Sequence, residues 1–346
     1  MNSQFKIAFF GTSDFAVPIL KALFKNGYNI TAVVTTPNEP IGRKQTLTPP
    51  PIKLVAQELG LTVLQPPSLK IDKFKSYLEI KNLELEIDLG IVASYGKIIP
   101  SQYLEMPRYG FLNIHPSLLP KYRGPSPIQT TIMKGDKKTG VTIIKLDEKV
   151  DHGPVLARRE FSILPTPRAV CKAFGDAWPK QLLRLQRPGN FQFSNQKELE
   201  RELAKLGAEL LIEILPQYII GKIEAKPQEH EKATFTKLLT REDGRIDWNK
   251  TAEEIYNQIL ALHPEPGTWT IWQDKILNII EVNHIEVKPQ YGSHGLGEVV
   301  RVNNEIAVTT KKCYLILKQI QLEGGKEMGA KAFLNGHPDF LGSKLG

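Results

Sequence analysis

Asn113, His115 and Asp151 are the side chains of this sequence whose types and spacing could carry out an acyl transfer. They lie in FLNIHPSLLPKYRG (111–124) and KLDEKVDHGPVL (145–156). An amide N–H can donate to an oxygen as it becomes negative. An imidazole can donate when protonated or take a proton when neutral. A carboxylate beside the imidazole favours its charged form. Such a set needs neither a metal nor a covalent nucleophile. Plainer readings stand beside this one: an Asn and a His at a strand end can satisfy backbone groups, and an Asp beside His152-Gly153-Pro154 can be a turn residue.

A strand must position the first two. GFLNIH (110–115) is an apolar run stopped by Pro116, and its alternation puts 113 and 115 on one side with Ile114 on the other. Other chemistries lack their signatures. There is no GxSxG and no paired Cys-His pattern. Cys171 and Cys313 are the only cysteines, and they lie far apart without metal-type partners. That pattern reads as a reducing cytoplasm and no disulfide framework. His230, His263, His284, His294 and His337 show no metal-ligand spacing, so no metal is expected. His152 falls in the turn and is read, like these five, as incidental.

The first 150 residues alternate strand and helix signals. KIAFF (6–10), NITAVVTT (29–36), LTVLQ (61–65), DLGIVAS (88–94) and GFLNIH read as strands. Asp14 can cap a helix carrying Val17, Leu20, Leu23 and Phe24; further helices are expected over 52–59 and 69–78. The rhythm predicts a Rossmann-like, mostly parallel sheet with helices on both faces, and ligands bind beyond the carboxyl ends of such strands. Asn113 and His115 fall at one such end. GTSDF lacks the GxGxxG spacing, so Gly11 is read as a tight turn and not a dinucleotide site. TGVTIIKLD (139–147) reads as the strand before Asp151.

Residues 194–215 predict an amphipathic helix, with Leu199, Leu203, Leu206, Leu210 and Ile214 at three- and four-residue steps and Pro216 at its end. GKIEAKPQEHEKA (221–233) reads as a linker. After a helix over 251–263, short strand-like runs at 268–272, 275–282, 297–302, 305–310 and 313–322 suggest a small OB-like β-barrel. The expected domains are therefore 1–215, a linker 216–233, and 234–346.

The length of 346 residues fits two domains, and 41% hydrophobic content fits a globular protein with a core. The apolar run IAFF is too short for a signal peptide, and no stretch approaches a membrane span. The net charge of +8 suits a polyanionic partner. Half of it comes from residues 166–193, where Arg168, Lys172, Lys180, Arg184 and Arg187 face Asp176 alone.

Over nearly its whole length the chain resembles the methionyl-tRNA formyltransferases. The resemblance is carried by FFGTSDFAVPIL, TTPNEPIGRKQTLTPPPIK, ASYGKIIP, FLNIHPSLLPKYRGPSPIQ, GVTIIKLDEKVDHGPVL, LTREDGRIDWNKTAEEIYNQILAL, HPEPGTW and AKAFLNG. It implies a cytoplasmic, monomeric enzyme that moves a formyl group from 10-formyltetrahydrofolate to the α-amine of methionyl initiator tRNA. By that resemblance Asn113 and His115 stabilise the oxyanion, and Asp151 orients His115 and helps take the amine's proton. Ser117, Leu118, Leu119 and Pro120 would line the folate site, bordered by Tyr95 and Gly96. The basic loop with Gly42, Arg43 and Lys44 would reach the tRNA acceptor end, and the β-rich C-terminal domain would add backbone contacts.

The sequence departs from the family pattern at Tyr122, where Trp is frequent, at Ser94 and Pro125, and above all at 166–193. That segment resembles an in-frame insertion forming a surface loop. Two other functions stay open at this stage. One is a related formyltransferase acting on a small amine, such as an amino nucleotide-sugar or glycinamide ribonucleotide. The other is a catalytically silent RNA-binding relative.

Overall fold

Ile7, Phe9, Leu89, Ile91, Leu112 and Ile143 have no exposed surface, and the strands that carry them form the middle of one sheet. The computed structural model describes residues 5–41, 45–70, 73–74, 77, 86–163, 190–191, 193, 195–285 and 295–346. The chain divides into two compact units, one of residues 1–127, 137–192 and 197–236, the other of 128–136, 193–196 and 237–346.

The first unit holds β1 (Lys6–Gly11), β2 (Asn29–Val34), the hairpin β3 (Glu39–Ile41) and β4 (Thr46–Thr48), β5 (Val63–Leu64), β6 (Leu89–Ala93), β7 (Phe111–His115), β8 (Lys138–Lys145), β9 (Val155–Ile163) and β10 (Asn190–Phe191). The main sheet runs β10-β9-β8-β7-β6-β1-β2-β5. It is parallel from β7 through β6, β1 and β2 to β5. β8 is antiparallel to both β7 and β9, and β10 is again parallel to β9. The expected mostly parallel sheet is present, with β8 turning the direction next to the strand that bears Asn113 and His115.

That strand's alternation has the predicted result. Phe111 sits in an apolar cluster with Phe10, Val92 and Tyr95 on one face. Ile114 points the other way, under the helix Gln196–Ile219, where a Cβ on Gly207 would come within 2.8 Å of Ile114 Cγ2. Close helix-to-sheet approach at Gly207 thus fixes β7 from behind and leaves Asn113 and His115 on the opposite face.

Two local expectations are corrected. The first helix, Ala16–Lys25, begins without a side-chain cap, and Asp14 does not cap it; Ser13 Oγ instead accepts the Phe15 N–H at 3.3 Å. Pro216 does not end its helix, which continues to Ile219. A proline there forfeits one N–H bond, and the turn beyond it is anchored because Tyr218 donates its hydroxyl to the Tyr109 carbonyl at 2.7 Å. Gly221, at φ +72°, follows the helix end. The predicted helix over 69–78 and the segment 166–193 lie largely outside the described residues. Of the latter, Asn190 and Phe191 extend the sheet beside Ser162 and Ile163.

Residues 226–236, in the stretch read as a linker and just beyond it, lie along the first unit. Lys226 and Val155 exchange two backbone bonds, at 2.7 and 2.8 Å.

The second unit is an antiparallel sheet ordered β11-β12-β15-β14-β13, with β16 (Met328–Gly329) on β15. Its strands are β11 (Trp269–Trp272), β12 (Lys275–Ile285), β13 (Val299–Val302), β14 (Glu305–Thr309) and β15 (Tyr314–Leu322). The helix Ala252–Leu262 packs on it, opened by a capping box between Thr251 and Glu254. The last residues join the two edge strands: Gly346 exchanges backbone bonds with Ile271 of β11, and Gly342 and Ser343 bond Val299 of β13.

Candidate active site

The Asp151 carboxylate meets three groups of the 111–124 segment: two side chains of β7 and one backbone N–H of the loop that follows it. Asn113 donates an amide N–H to Oδ1 at 3.1 Å. Gly124 donates its backbone N–H to Oδ2 at 2.8 Å. The Nδ1 atom of His115 lies 3.5 Å from the same Oδ2, a longer, electrostatic contact. His115 and Asp151 are both buried, whereas Asn113 is only half-buried. Charges and dipoles act over such distances far more strongly there than in water.

The imidazole is fixed from both ends. His115 Nε2 is 2.9 Å from the Tyr122 carbonyl, which can only accept, so Nε2 carries the proton. Nδ1 then faces Asp151, either with a lone pair or, in the imidazolium, with a second N–H. The Asn113 amide has two hydrogens and spends one on Asp151. Among the described residues the arrangement therefore offers one uncommitted amide N–H, one imidazole whose charge is set by a single nitrogen, and one carboxylate between them.

The backbone that delivers these groups is unusual. Asp151 has φ +48° and Tyr122 φ +62°, both in the left-handed region, and Gly124 has φ +107°. Non-glycine residues there cost energy, which surrounding contacts must hold in place. Those contacts come largely from residues 228–236. Tyr122 N–H donates to Thr234 Oγ1 at 2.8 Å, Arg123 N–H to the Thr234 carbonyl at 2.8 Å, and Thr236 N–H to the Arg123 carbonyl at 2.7 Å. Gln228 donates to the Asp151 and Gly153 carbonyls at 2.9 and 2.7 Å. Arg123, itself buried, donates to Gln228 Oε1 and to His230 Nδ1.

These supporting residues are what the sequence reading missed. Arg123 and Gly124 stood inside the quoted YRG, but nothing local marks Gln228, Thr234 or Thr236. Two histidines read as incidental are neighbours of this network. His152 bonds Asp147 Oδ2 at 2.6 Å and stacks on His230 with ring centroids 4.0 Å apart. Desolvation, followed by the positive charges of His152 and Arg123, holds His230 below the usual histidine value.

The loop after β7 is folded tightly on β8. Ser117 Oγ donates to the Lys121 carbonyl at 2.6 Å, and the Leu119 N–H donates to Thr142 Oγ1 at 3.1 Å. Thr142 Oγ1 in turn donates to the Ser117 carbonyl at 2.7 Å. Ser117 and Leu119 are thereby buried, and Leu118 and Pro120 are half-buried. Tyr95 is buried beside Phe10 with its ring edge-on at 5.5 Å, and its hydroxyl has no partner among the described residues. Burial pushes that phenol above its usual range. Gly96, at φ +76°, borders open space, since a Cβ there would meet nothing within 4 Å. Arg43 and Lys44 lie outside the described residues, in the connection between β3 and β4. Among the described residues no three His, Cys, Asp or Glu side chains cluster as metal ligands, and no helix is long and apolar enough to cross a membrane.

Comparison with known proteins places this geometry. Residues 5–174 match the formyl transferase family, and residues 238–338 match the formyl transferase C-terminal domain. A methionyl-tRNA formyltransferase of Halalkalibacterium halodurans is 37% identical over 99% of this chain and 98% of its own length. The chain belongs to the methionyl-tRNA formyltransferase family. Another member, from Chloroflexus aggregans, is 38% identical over 96% of this chain and 97% of its own.

Solved structures share the fold at lower identity. An N-formyltransferase from Helicobacter canadensis, in complex with folinic acid and dTDP-3-aminofucose, has TM-score 0.60 at 17% identity, over 94% of this chain and all of that one. HypX from Aquifex aeolicus, in complex with tetrahydrofolic acid, has TM-score 0.59 at 17% identity; 95% of this chain covers 46% of that protein. The formyltransferase family thus accounts for the mixed sheet, the separate C-terminal unit and the motif-bearing loop after β7.

Proposed function

We propose that this chain transfers the formyl group of 10-formyltetrahydrofolate to the α-amine of methionyl initiator tRNA, with Asn113, His115 and Asp151 as its catalytic side chains. The family membership supports the substrates. The observation that supports the residues is the Asp151 carboxylate, which joins Asn113, Gly124 and His115 on one face of the sheet.

The folate supplies an activated formyl carbon. The chain's own residues do the rest. The free N–H of Asn113 donates to the formyl oxygen as it becomes negative, and His115 adds a positive charge to the same potential once its Nδ1 has taken the amine's proton. One proton must leave the attacking amine and one must reach the departing nitrogen. The Asp151–His115 pair carries that single proton: the carboxylate takes it, directly or through a water, and Nδ1 can hold it. A neutral amine is needed for attack, which favours a site with a carboxylate base near neutral pH. Holding both substrates in register supplies much of the acceleration.

Ser117, Leu118, Leu119, Pro120, Tyr95 and Gly96 form the folate side of this reading. It is supported by the half-buried Leu118 and Pro120, the unpaired Tyr95 hydroxyl and the open space at Gly96, an apolar wall with few polar points as a pterin requires. Arg43 and Lys44 meet phosphates of the acceptor end. Catalysis is assigned to residues 1–215 and backbone contacts with tRNA to 234–346, joined through 216–233. The enzyme works as a cytoplasmic monomer.

The test supplies 10-formyltetrahydrofolate with charged initiator tRNA, with free small amines, or with no acceptor, and follows the formyl group. Transfer to the charged tRNA alone is expected. Transfer to a small amine in its place, or to nothing, would overturn the reading.

A further inference from the structure

Asp151 occupies a left-handed backbone conformation at the edge of the site, and one buried side chain, Gln228, holds that conformation. Its amide nitrogen donates both hydrogens, one to the Asp151 carbonyl at 2.9 Å and one to the Gly153 carbonyl at 2.7 Å. The same amide therefore clamps the turn at Asp151 and two residues further on. Its oxygen accepts from Arg123 twice, from Nε at 3.2 Å and from Nη2 at 2.8 Å. With two carbonyls on one side and a guanidinium on the other, only one orientation of the amide satisfies every partner.

Arg123 closes a ring. It directly precedes Gly124, whose N–H bonds the Asp151 carboxylate. It follows Tyr122, whose carbonyl holds the His115 proton. Residue 228 thus ties the backbone of the Asp151 turn to the loop that orients both the carboxylate and the imidazole. A carboxylate at 228 would keep the guanidinium pair but could donate nothing to the two carbonyls. An amide is the side chain that serves both sides.

We infer that Gln228 is a positioning residue for formyl transfer, acting through Arg123 and the Asp151 backbone to hold the carboxylate against Asn113 and His115. This rests on the reading of Asp151 given under Proposed function. Misplacing a reacting group by about 1 Å can cost about 100-fold in rate. The expected signature is a loss in turnover with substrate binding retained.

The experiment compares Gln228→Glu, Asp151→Asn and the double variant in the full-length enzyme, reading kcat with charged tRNA and the dissociation constant for 5-formyltetrahydrofolate. Gln228→Glu is expected to lower kcat about 10- to 100-fold and to leave folate affinity within about twofold. On the Asp151→Asn background the same change is expected to add little, because the group it positions is gone. Arg123→Lys, which keeps the charge and loses the two-pronged contact with Gln228, is expected to act in the same direction and serves if Gln228→Glu does not fold.

Normal kcat in Gln228→Glu beside a disabled Asp151→Asn would overturn the inference. So would fully multiplicative losses in the double variant, or a loss confined to folate affinity. A fully active Asp151→Asn would instead remove the underlying reading of Asp151, and the inference with it.

Discussion

His115 donates Nε2–H to the Tyr122 carbonyl at 2.9 Å, and this single bond decides which nitrogen can exchange a proton. Tyr122 holds its carbonyl there from a left-handed conformation, with its own N–H tied to Thr234 Oγ1. Neutral His115 is therefore expected as the Nε2–H tautomer, with Nδ1 free toward Asp151. Nitrogen-15 spectra of selectively labelled histidine at alkaline pH read this directly. A signal from the Nδ1–H tautomer at His115 would contradict the proton route through Asp151.

Removal of Asn113 tests the oxyanion donor. One of its amide hydrogens is committed to Asp151, so Asn113→Ala removes both the free donor and a contact to the carboxylate. Turnover is expected to fall by about 100- to 1,000-fold, with folate affinity near that of the parent. Single-turnover formylation of charged tRNA measures it, and a loss under tenfold would leave Asn113 without its role.

The contrast between Asn113 and Gln228 explains what was legible in the sequence. Strand period and the stop at Pro116 put Asn113 and His115 on one face, because alternation along a strand is local information. The apolar runs likewise announced β1, β2, β6 and β7. Gln228 sits in a polar stretch that composition makes a linker, and its value comes from carbonyls 77 and 75 residues away. No local pattern encodes such a partner. Pro216 misled for the related reason that Tyr218 is held by Tyr109, a contact distant in sequence.

Gly124 is predicted to be irreplaceable on two counts. Its φ of +107° disfavours any side chain, and an added Cβ would lie 2.8 Å from the Thr236 carbonyl oxygen and 2.9 Å from Thr236 Oγ1. Gly124→Ala should cost roughly 1–3 kcal/mol of stability. It should also slow turnover, since the shifted N–H no longer meets Asp151 Oδ2. Denaturant titration and kcat on the same preparation check both, and an alanine variant matching the parent in each would refute the strained contact.

The basic pair at Arg43 and Lys44 is expected to act on the tRNA side only. Arg43→Ala should raise KM for charged tRNA and reduce its dependence on salt, as a lost phosphate contact does. Folate affinity should not move. Equal losses for both substrates would reject a role at the acceptor end.

His230 gives the site's surroundings a calculable response to acid. Arg123 donates to its Nδ1 at 2.8 Å, so that nitrogen must be unprotonated. Desolvation and then the charges of His152 and Arg123 lower its folded-state pKa, only partly opposed by Glu231 and Asp147. The unfolded chain, with an ordinary histidine near 6.5, binds the proton first as pH falls. Stability from this group is therefore complete above about pH 6.5 and is lost as pH drops through the lower folded-state value. His230→Asn keeps an acceptor oxygen for Arg123 and removes the titration. Urea midpoints between pH 8 and 5 should then fall less steeply in the variant than in the parent. Parallel curves would mean that groups other than His230 set the acid response.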